Sequence, residues 1–262
     1  MSCIVRDFAV AAIVAVSLAA CSPESSAREA SAPIDRTRVI GATAATVETP
    51  PVPAGTMSEE TLGDLGDERS ARRVVLNGID LTGVGYDKGS PTAPIVMVDF
   101  SDFGCPYCGS HARQTLPSLE REFIATGKVF YKYVPLVMGM FPNGNTAARA
   151  AECAADEGKF WPMHDRLYAG QQEWRKNGTP TPVYRRYARE LGIDAERFTA
   201  CLADGRTESR TKKASAVAQS LGIRATPTFT IDGQGIEGAL PLAVFQKLLR
   251  EKSALSGGAA HR

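Results

Sequence analysis

Two cysteines separated by two residues, Cys105 and Cys108, are the pair whose spacing points most directly to chemistry in this sequence. They follow an apolar run, residues 94–100, and stand where the apolar pattern indicates that a helix begins. Pro106 suits the first position of that helix, because its missing N–H costs no hydrogen bond there. Two cysteines in the first turn of a helix can close a small disulfide, so the pattern predicts thiol redox chemistry.

The start of a helix also makes the two thiols chemically different. Cys105 would lie at the positive end of the helix dipole, beside backbone N–H groups that stabilise a thiolate and lower its pKa. Cys108 lies one turn further in, so we expect it to be more buried and to stay a thiol until it is needed. The predicted roles are an exposed nucleophile at Cys105 and a resolving thiol at Cys108.

Three other uses of a cysteine pair compete with this prediction. A four-cysteine zinc site needs a second close pair, but Cys153 and Cys201 lie far apart in the sequence. A c-type haem needs a histidine directly after the second cysteine, where this sequence has Gly109. A purely structural disulfide would not need a place between a strand and a helix. We therefore predict neither a metal ion nor a cofactor at this pair.

The composition is that of a globular protein. Of the 262 residues, 44% are hydrophobic and 23% are charged, which excludes a wholly disordered or fibrous chain. The formal net charge of +1 gives no reason to expect a nucleic acid as partner. Six cysteines are too few for a small disulfide scaffold in a chain of this length.

The first 20 residues are predicted to be a signal peptide of the lipoprotein type. Residues 8–20 form an uncharged apolar run that follows Arg6 and is too short to span a bilayer. The run ends in Leu-Ala-Ala before Cys21, which resembles the lipobox of bacterial lipoproteins, where that cysteine is acylated. Cys3 would leave with the signal peptide. Cleavage by an ordinary signal peptidase near Ala20, with Cys21 unmodified, is the alternative.

Residues 21–70 are predicted to form a flexible linker anchored to a membrane through the lipid on Cys21. The stretch is rich in Ala, Ser, Thr and Pro, contains no aromatic residue and shows no apolar periodicity. Such a composition cannot bury enough apolar surface to offset the loss of chain entropy on folding.

Residues 71–262 are predicted to form one α/β domain, because apolar strands and amphipathic helices follow one another along the chain. Their order indicates a mixed sheet with helices on both faces and an all-helical subdomain inserted at about 143–205. Pro117 should kink or break the first helix, and the tail from Ser253 should be frayed. The predicted elements, in chain order, are 73–79, 94–100, 105–126, 128–136, 146–157, 160–170, 182–191, 195–203, 207–221, 227–231, 234–237 and 243–252.

The segment from Val98 to Cys108, Val-Asp-Phe-Ser-Asp-Phe-Gly-Cys-Pro-Tyr-Cys, resembles the active site of thioredoxin-fold proteins. It is most similar to the DsbA-like branch of bacterial disulfide oxidoreductases. The resemblance extends from about Pro91 to Leu249 and includes the helical insertion. It also includes Ala-Thr-Pro-Thr-Phe at 225–229, where the family has a cis-proline opposite the two cysteines.

The resemblance implies roles for residues around the pair. Pro227 corresponds to the cis-proline, and it would leave the backbone of Thr226 free to pair with an extended substrate chain. Pro106 and Tyr107 would contact the same substrate. A trans proline that opens a strand is the alternative at Pro227.

Asp99 corresponds to the buried acid of the family. An aspartate inside an apolar strand is costly unless it is used, so we expect a raised pKa there. Its carboxyl would accept the proton of Cys108 during exchange. A position on a solvated edge of the sheet is the alternative.

Two histidines and one further acid are predicted to have structural rather than catalytic roles. Asp102 is predicted to be a loop residue and His164 a packing residue of the helical block. His111 could tune the thiols electrostatically, but a place on the helix surface is the preferred interpretation.

Cys153 and Cys201 both lie on predicted helices of the insertion. Because thiols of exported proteins tend to pair, we predict a structural disulfide between them. Two buried free thiols that pack as small apolar residues are the alternative.

Together these features predict a periplasmic, lipid-anchored thiol–disulfide oxidoreductase that donates the Cys105–Cys108 disulfide to reduced or misoxidised exported proteins. A membrane redox partner would then reset the disulfide. The pair Pro106–Tyr107 lacks the histidine that strong oxidases of the family carry there, so a reductase or an isomerase is one alternative. A binding or chaperone lipoprotein on a thioredoxin scaffold is another.

Overall fold

The computed structural model describes Arg69 and residues 71–259, with side chains up to Leu255. The predicted signal peptide, the lipid site at Cys21 and nearly all of the predicted linker lie outside the described residues. These three assignments therefore stay predictions.

A mixed sheet forms the centre of the described region, as the sequence predicted, and it has five strands. The strand order is β3-β5-β4-β6-β7, with β4 parallel to β5 and the other neighbours antiparallel. All residues of β4 and β5 are buried, because their apolar runs are covered on both faces. The strands are β3 (Tyr86–Lys88), β4 (Ile95–Ser101), β5 (Val129–Pro135), β6 (Thr228–Ile231) and β7 (Gln234–Glu237).

A separate hairpin precedes the sheet. It pairs β1 (Val75–Leu76) with β2 (Ile79–Asp80), within the stretch that the sequence predicted to be β-rich. The two turn residues, Asn77 and Gly78, both have positive φ, of 49° and 78°. Positive φ at both positions is what a tight hairpin turn requires, and Asn-Gly is a favoured pair for it.

The helix that crosses from β4 to β5 alternates between α-helical and π-helical geometry. Pro117 lies in the first turn of its second α-helical segment, where a proline is tolerated. The helix therefore changes geometry around Pro117 and continues beyond it. Its segments are α1 (Pro106–Ser110), a π-helical turn (His111–Thr115), α2 (Leu116–Leu119) and a second π-helical turn (Glu120–Ile124).

The insertion between β5 and β6 is helical, as predicted. It contains α5, a short polar helix that the apolar pattern did not reveal. A longer helix follows the insertion and leads towards β6. The helices are α3 (Gly144–Ala155), α4 (Phe160–Ala169), α5 (Gln171–Arg175), α6 (Thr181–Glu190), α7 (Ala195–Ala203) and α8 (Gly205–Ser220).

Two apolar layers cover the two faces of the sheet, which confirms helices on both sides. On β4, Met97 belongs to the layer with the insertion, whereas Val96 and Val98 belong to the layer with α8. Alternate residues of a strand point to opposite faces, so the central strand contributes to both layers.

The closing helix, α9 (Leu242–Ala259), is longer than predicted. The expectation that the chain frays from Ser253 was wrong. The Ser253 hydroxyl donates to the carbonyl oxygen of Leu249 over 2.7 Å, inside a continuous helix. The residues after Ser253 include helix formers such as Ala254 and Leu255, which allow the helix to continue.

Candidate active site

The two cysteines of the Cys-x-x-Cys pair lie at the carboxyl end of the central strand β4, at the start of α1. Cys105 caps the helix and Pro106 occupies its first turn, as the sequence predicted. The backbone N–H of Cys105 donates to the carbonyl oxygen of Asp102 over 3.0 Å. The carbonyl oxygen of Cys105 accepts from the N–H of Gly109 over 3.1 Å. The loop and the helix therefore fix the backbone of Cys105 from both sides.

The thiol of Cys105 has its pKa lowered from 9.0 to about 6. The largest cause is a hydrogen bond from the Cys108 thiol, and backbone N–H groups of Cys108 and Tyr107 add to it. Burial opposes the shift but does not cancel it. Cys105 is therefore mostly a thiolate at neutral pH, as a nucleophile or a stable leaving thiolate requires.

Burial of Cys105 contradicts one sequence-based expectation. The nucleophile was expected to be exposed, but Cys105 and Cys108 are both buried. The segment at Thr226 accounts for this, because its carbonyl oxygen lies 3.4 Å from the Cys105 sulfur and accepts the thiol hydrogen. The exposed residue of the pair's loop is Tyr107, with 69% of its surface accessible.

The pKa of the Cys108 thiol is shifted in the opposite direction to that of Cys105. Burial raises the pKa of Cys108 well above its usual value, and the neighbouring charges of Cys105 and Asp99 raise it further. Cys108 therefore holds its proton at neutral pH, in line with the predicted resolving thiol.

The peptide bond between Thr226 and Pro227 is cis, as the resemblance implied. It leads directly into β6, which pairs with the central strand β4. The position of the Thr226 carbonyl against Cys105 brings the two segments together, although 121 residues separate them in the chain.

Asp99 lies inside the protein beneath the cysteine pair. It is 2% exposed, so the alternative of a solvated edge does not hold. Its two carboxylate oxygens accept hydrogen bonds, one from the Ser101 hydroxyl and one from the Tyr131 hydroxyl over 2.6 Å. Burial outweighs these bonds and raises the pKa of Asp99 to about 7. An acid with this pKa can exchange a proton at neutral pH.

Sequence reasoning missed the partners of Asp99. Ser101 follows Asp99 by two residues on β4, so strand alternation places both side chains on one face. Tyr131 lies on the adjacent strand β5, and its side chain reaches Asp99 across the sheet. The alternation could have identified Ser101, and the strand that carries Tyr131 was predicted, but the register that brings Tyr131 to Asp99 has no local signal in the sequence.

Asp102 is a loop residue, as predicted, but it is a buried one. Burial raises the pKa of its carboxyl to about 7, and the nearby charge of Cys105 adds to the effect. One carboxylate oxygen accepts the N–H of Gly104 over 2.8 Å. The start of α3 packs closely on this carboxylate, because a side chain at Gly144 would collide with it. A second buried acid therefore lies beside the nucleophile, and no sequence pattern indicated its burial.

The helical insertion contacts the cysteine loop through a residue that the sequence did not single out. The side-chain amide of Gln171, on the unpredicted helix α5, donates to the carbonyl oxygens of Phe103 and Cys105, over 2.6 and 2.8 Å. These two bonds tie the insertion to the loop that carries the nucleophile.

His111 does not lie on the helix surface, so that expectation was wrong. It is 2% exposed and packs between Phe229 and Phe245, at ring distances of 4.5 and 5.3 Å. Among the described residues, neither ring nitrogen has a hydrogen-bond partner. Burial lowers the pKa of His111 to about 3, so the ring is neutral. His164 is buried among aromatic rings, as its predicted packing role requires.

A disulfide joins Cys153 on α3 to Cys201 on α7, the pairing that the sequence predicted. Their Cα atoms are 5.8 Å apart, and 48 positions separate them in the chain. The bond links two helices of the insertion. Within the described residues, Cys105 and Cys108 are the free cysteines.

Comparisons with known proteins support the family that the site suggests. The family model for thioredoxin matches residues 83–251. A curated relative, the Na(+)/H(+) antiporter NhaA 3 of Salinispora tropica, is 35% identical over 178 residues, or 65% of this chain. The chain spans about a quarter of that relative's length, since the match covers 26% of it.

Within the described residues, no helix is long and apolar enough to cross a membrane.

Solved structures show the same fold. Wolbachia pipientis α-DsbA1 matches with a TM-score of 0.61 and 21% identity, over 66% of this chain and 93% of that one. A thioredoxin-like oxidoreductase from Silicibacter pomeroyi matches with a TM-score of 0.51 and 26% identity, over 63% of this chain and 90% of that one. The chain therefore belongs to the thioredoxin family, with the fold of its DsbA-type members.

Proposed function

We propose that this chain is an extracytoplasmic thiol–disulfide oxidoreductase that donates the Cys105–Cys108 disulfide to exported proteins. The observation that carries the proposal is the contrast between the two thiols. The pKa of Cys105 is lowered to about 6, whereas that of Cys108 is raised well above its usual value. A low pKa at the nucleophile stabilises the reduced form, and this favours giving the disulfide away.

Exchange proceeds through a mixed disulfide. A substrate thiolate attacks the Cys105 sulfur, the bond to Cys108 breaks, and Cys108 takes up a proton. A second substrate thiolate then attacks the substrate sulfur, which closes the substrate disulfide and releases Cys105 as a thiolate. A membrane redox partner reoxidises the pair.

The substrate has to reach Cys105 beside the exposed Tyr107 and the segment at Thr226 and Pro227. Tyr107 offers an accessible aromatic ring next to the nucleophile. We propose that Pro106, Tyr107, Thr226 and Pro227 contact the substrate chain. The Thr226 carbonyl oxygen, which accepts the Cys105 thiol hydrogen, is released from that bond when Cys105 is a thiolate or a disulfide.

Export and anchoring are part of the proposal and rest on the sequence. The apolar run at 8–20 followed by Cys21 supports a lipoprotein signal. The disulfide between Cys153 and Cys201 also supports an oxidising compartment, where such bonds persist. Mass spectrometry of the membrane-bound protein tests this, since a diacylglyceryl thioether on Cys21 is the expected product.

The test of activity uses the oxidised protein and a reduced, unfolded substrate protein. Wild type should form substrate disulfides, and Cys105→Ser should not. Ser110→Ala, which alters a neighbouring side chain of the same helix, is the matched control and should remain active. Full activity of Cys105→Ser would overturn the assignment, even if that variant kept a chaperone-like affinity for the substrate.

Reduction of substrate disulfides is the second candidate function. The observation in its favour is the uncharged Pro106–Tyr107 pair between the two cysteines. The reduction potential of the pair distinguishes the directions. A value of about −120 mV indicates a donor of disulfides, and one of about −270 mV indicates a reductant.

A further inference from the structure

Gln171 holds the backbone of the cysteine loop from the side of the helical insertion. It begins α5 and is 1% exposed. Its side-chain nitrogen donates to the carbonyl oxygen of Phe103 over 2.6 Å and to that of Cys105 over 2.8 Å. An amide nitrogen carries two hydrogens, so both of them are used on the loop. Bulk water does not compete for these bonds, because the side chain is buried.

The contact between α5 and α1 requires a glycine at position 109. A side chain at Gly109 would collide with the Oε1 atom of Gln171. The glutamine could make room only by moving, and its two hydrogen bonds hold it in place. Within the part of the chain that the structure describes, Oε1 itself has no hydrogen-bond partner. A buried acceptor without a partner is destabilising, so this side chain contributes through its two donor hydrogens.

The carbonyl group of Cys105 controls how the thiol meets the helix. Cys105 caps α1 with a φ of −74° and a ψ of 123°. Rotation about ψ turns the carbonyl group and the following peptide together, so a fixed carbonyl fixes where α1 begins relative to the sulfur. The amino-terminal end of a helix carries partial positive charge and stabilises an anion placed there. By holding this carbonyl, Gln171 therefore fixes the position of the sulfur relative to the positive end of α1.

We propose that Gln171 is a positioning residue for the nucleophile, which holds the Cys105 sulfur at the amino-terminal end of α1 through the carbonyl groups of Phe103 and Cys105. This inference rests on the proposed exchange function. In the reduced protein, no covalent bond between the cysteines restrains the loop, so the hydrogen bonds of Gln171 keep the thiolate where the helix stabilises it. In the oxidised protein, the disulfide restrains the same loop. Gln171 therefore stabilises the reduced form more than the oxidised form, which makes the protein a stronger donor of disulfides.

The first experiment titrates the Cys105 thiolate of the reduced protein by its ultraviolet absorbance. Gln171→Met keeps the approximate size of the side chain but has no hydrogen to donate. It should lower the ionisation constant of Cys105 about fivefold, the effect of about one hydrogen bond. The equilibrium constant for reduction of the disulfide by glutathione should fall by a similar factor. Gln172→Met makes the same substitution at the neighbouring exposed residue and is the matched control, which should leave both constants unchanged.

Two further variants separate positioning from packing. Gln171→Glu keeps the shape of the side chain, but its carboxylate has no hydrogen to donate, so it should lower the ionisation constant at least as much as Gln171→Met. Gly109→Ala should displace Gln171 from the other side and have a similar effect. In a Gln171→Ala background, which leaves room for the added methyl group, Gly109→Ala should cause less than about a twofold further loss. The variants Gln171→Glu and Gly109→Ala decide the matter if Gln171→Met does not fold.

The positioning role is refuted if the folded Gln171→Met and Gln171→Glu proteins keep the wild-type ionisation constant of Cys105. It is also refuted if Gln172→Met lowers that constant as much, or if the losses from Gly109→Ala and Gln171→Ala multiply fully. These outcomes would leave Gln171 with a packing role only. A wild-type protein whose Cys105 ionises near pH 6 but that forms no substrate disulfides would instead contradict the proposed function. The two failures are therefore distinguishable.

Discussion

Replacing Asp99 with asparagine should stabilise the reduced protein at alkaline pH. Burial raises the pKa of this carboxyl from 3.8 to about 7. The folded state therefore binds the proton more tightly than the unfolded state, and stability is lost as the pH rises from about 4 to about 7. A difference of about three pH units corresponds to about 4 kcal/mol in the free energy of unfolding.

The substitution also has a cost. Asp99 accepts hydrogen bonds through both carboxylate oxygens, from Ser101 and Tyr131, whereas the amide nitrogen of asparagine cannot accept one. Loss of one buried hydrogen bond costs about 1 kcal/mol. We therefore expect Asp99→Asn to be about 3 kcal/mol more stable than wild type at pH 8 and about 1 kcal/mol less stable at pH 4.

Denaturant unfolding of the two reduced proteins between pH 4 and pH 8 measures this difference. Asp80→Asn is the matched control, since hydrogen bonds from Thr82 and Arg73 hold the pKa of that carboxyl down at about 2. Neutralising Asp80 should bring no gain at pH 8. Stability curves of wild type and Asp99→Asn that run parallel from pH 4 to pH 8 would refute the argument that burial destabilises the Asp99 carboxylate.

Three other expectations follow from the same contacts. Alkylation of the reduced protein should be half-maximal near pH 6 and confined to Cys105, which peptide mapping checks; modification of Cys108 instead would contradict the assignment. Replacing Cys153 and Cys201 with alanine should lower the free energy of unfolding by about 4 kcal/mol, since their bond closes a loop of 48 positions. Denaturant unfolding measures this loss, and a value below about 1 kcal/mol would contradict a stabilising role of the disulfide. The pKa of His111 is lowered to about 3 in the folded state, so stability is lost as the pH falls below about 6.5. His111→Leu should remove that loss, about 3 kcal/mol at pH 4, whereas a wild-type pH dependence in the variant would refute it.

The central sheet was predictable because its signals are local. The run Ile95–Ser101 is mostly apolar, and its short length and valine and isoleucine content favour a buried strand over a helix. The strand Tyr86–Lys88 was not predicted, because it has only three residues, and they include the buried Asp87. Such a segment shows no hydrophobic periodicity. Its place is fixed by pairing with β5, more than 40 positions away, and such pairing leaves no local trace.

The site was predictable in part for the same reason. The cysteine pair and Asp99 are adjacent in sequence to the strand and helix that position them. The burial of His111 depends on Phe229 and Phe245, which are more than 100 positions away and reach it only in the folded chain. Exposure of Cys105 was predicted wrongly because the covering segment at Thr226 is equally distant.

The register of β4 against β5 decides which chemistry the buried acid can perform. Asp99 lies opposite Tyr133, and its neighbour Val98 lies opposite Lys132, so the lysine points to the other face. A slip of one residue would exchange the two faces of β5 and bring Lys132 towards Asp99. An ammonium there would lower the pKa of the acid and leave it ionised at neutral pH. In the observed register, Asp87 pairs with the lysine, and burial raises the pKa of Asp99 to about 7, so the acid is still partly protonated at neutral pH.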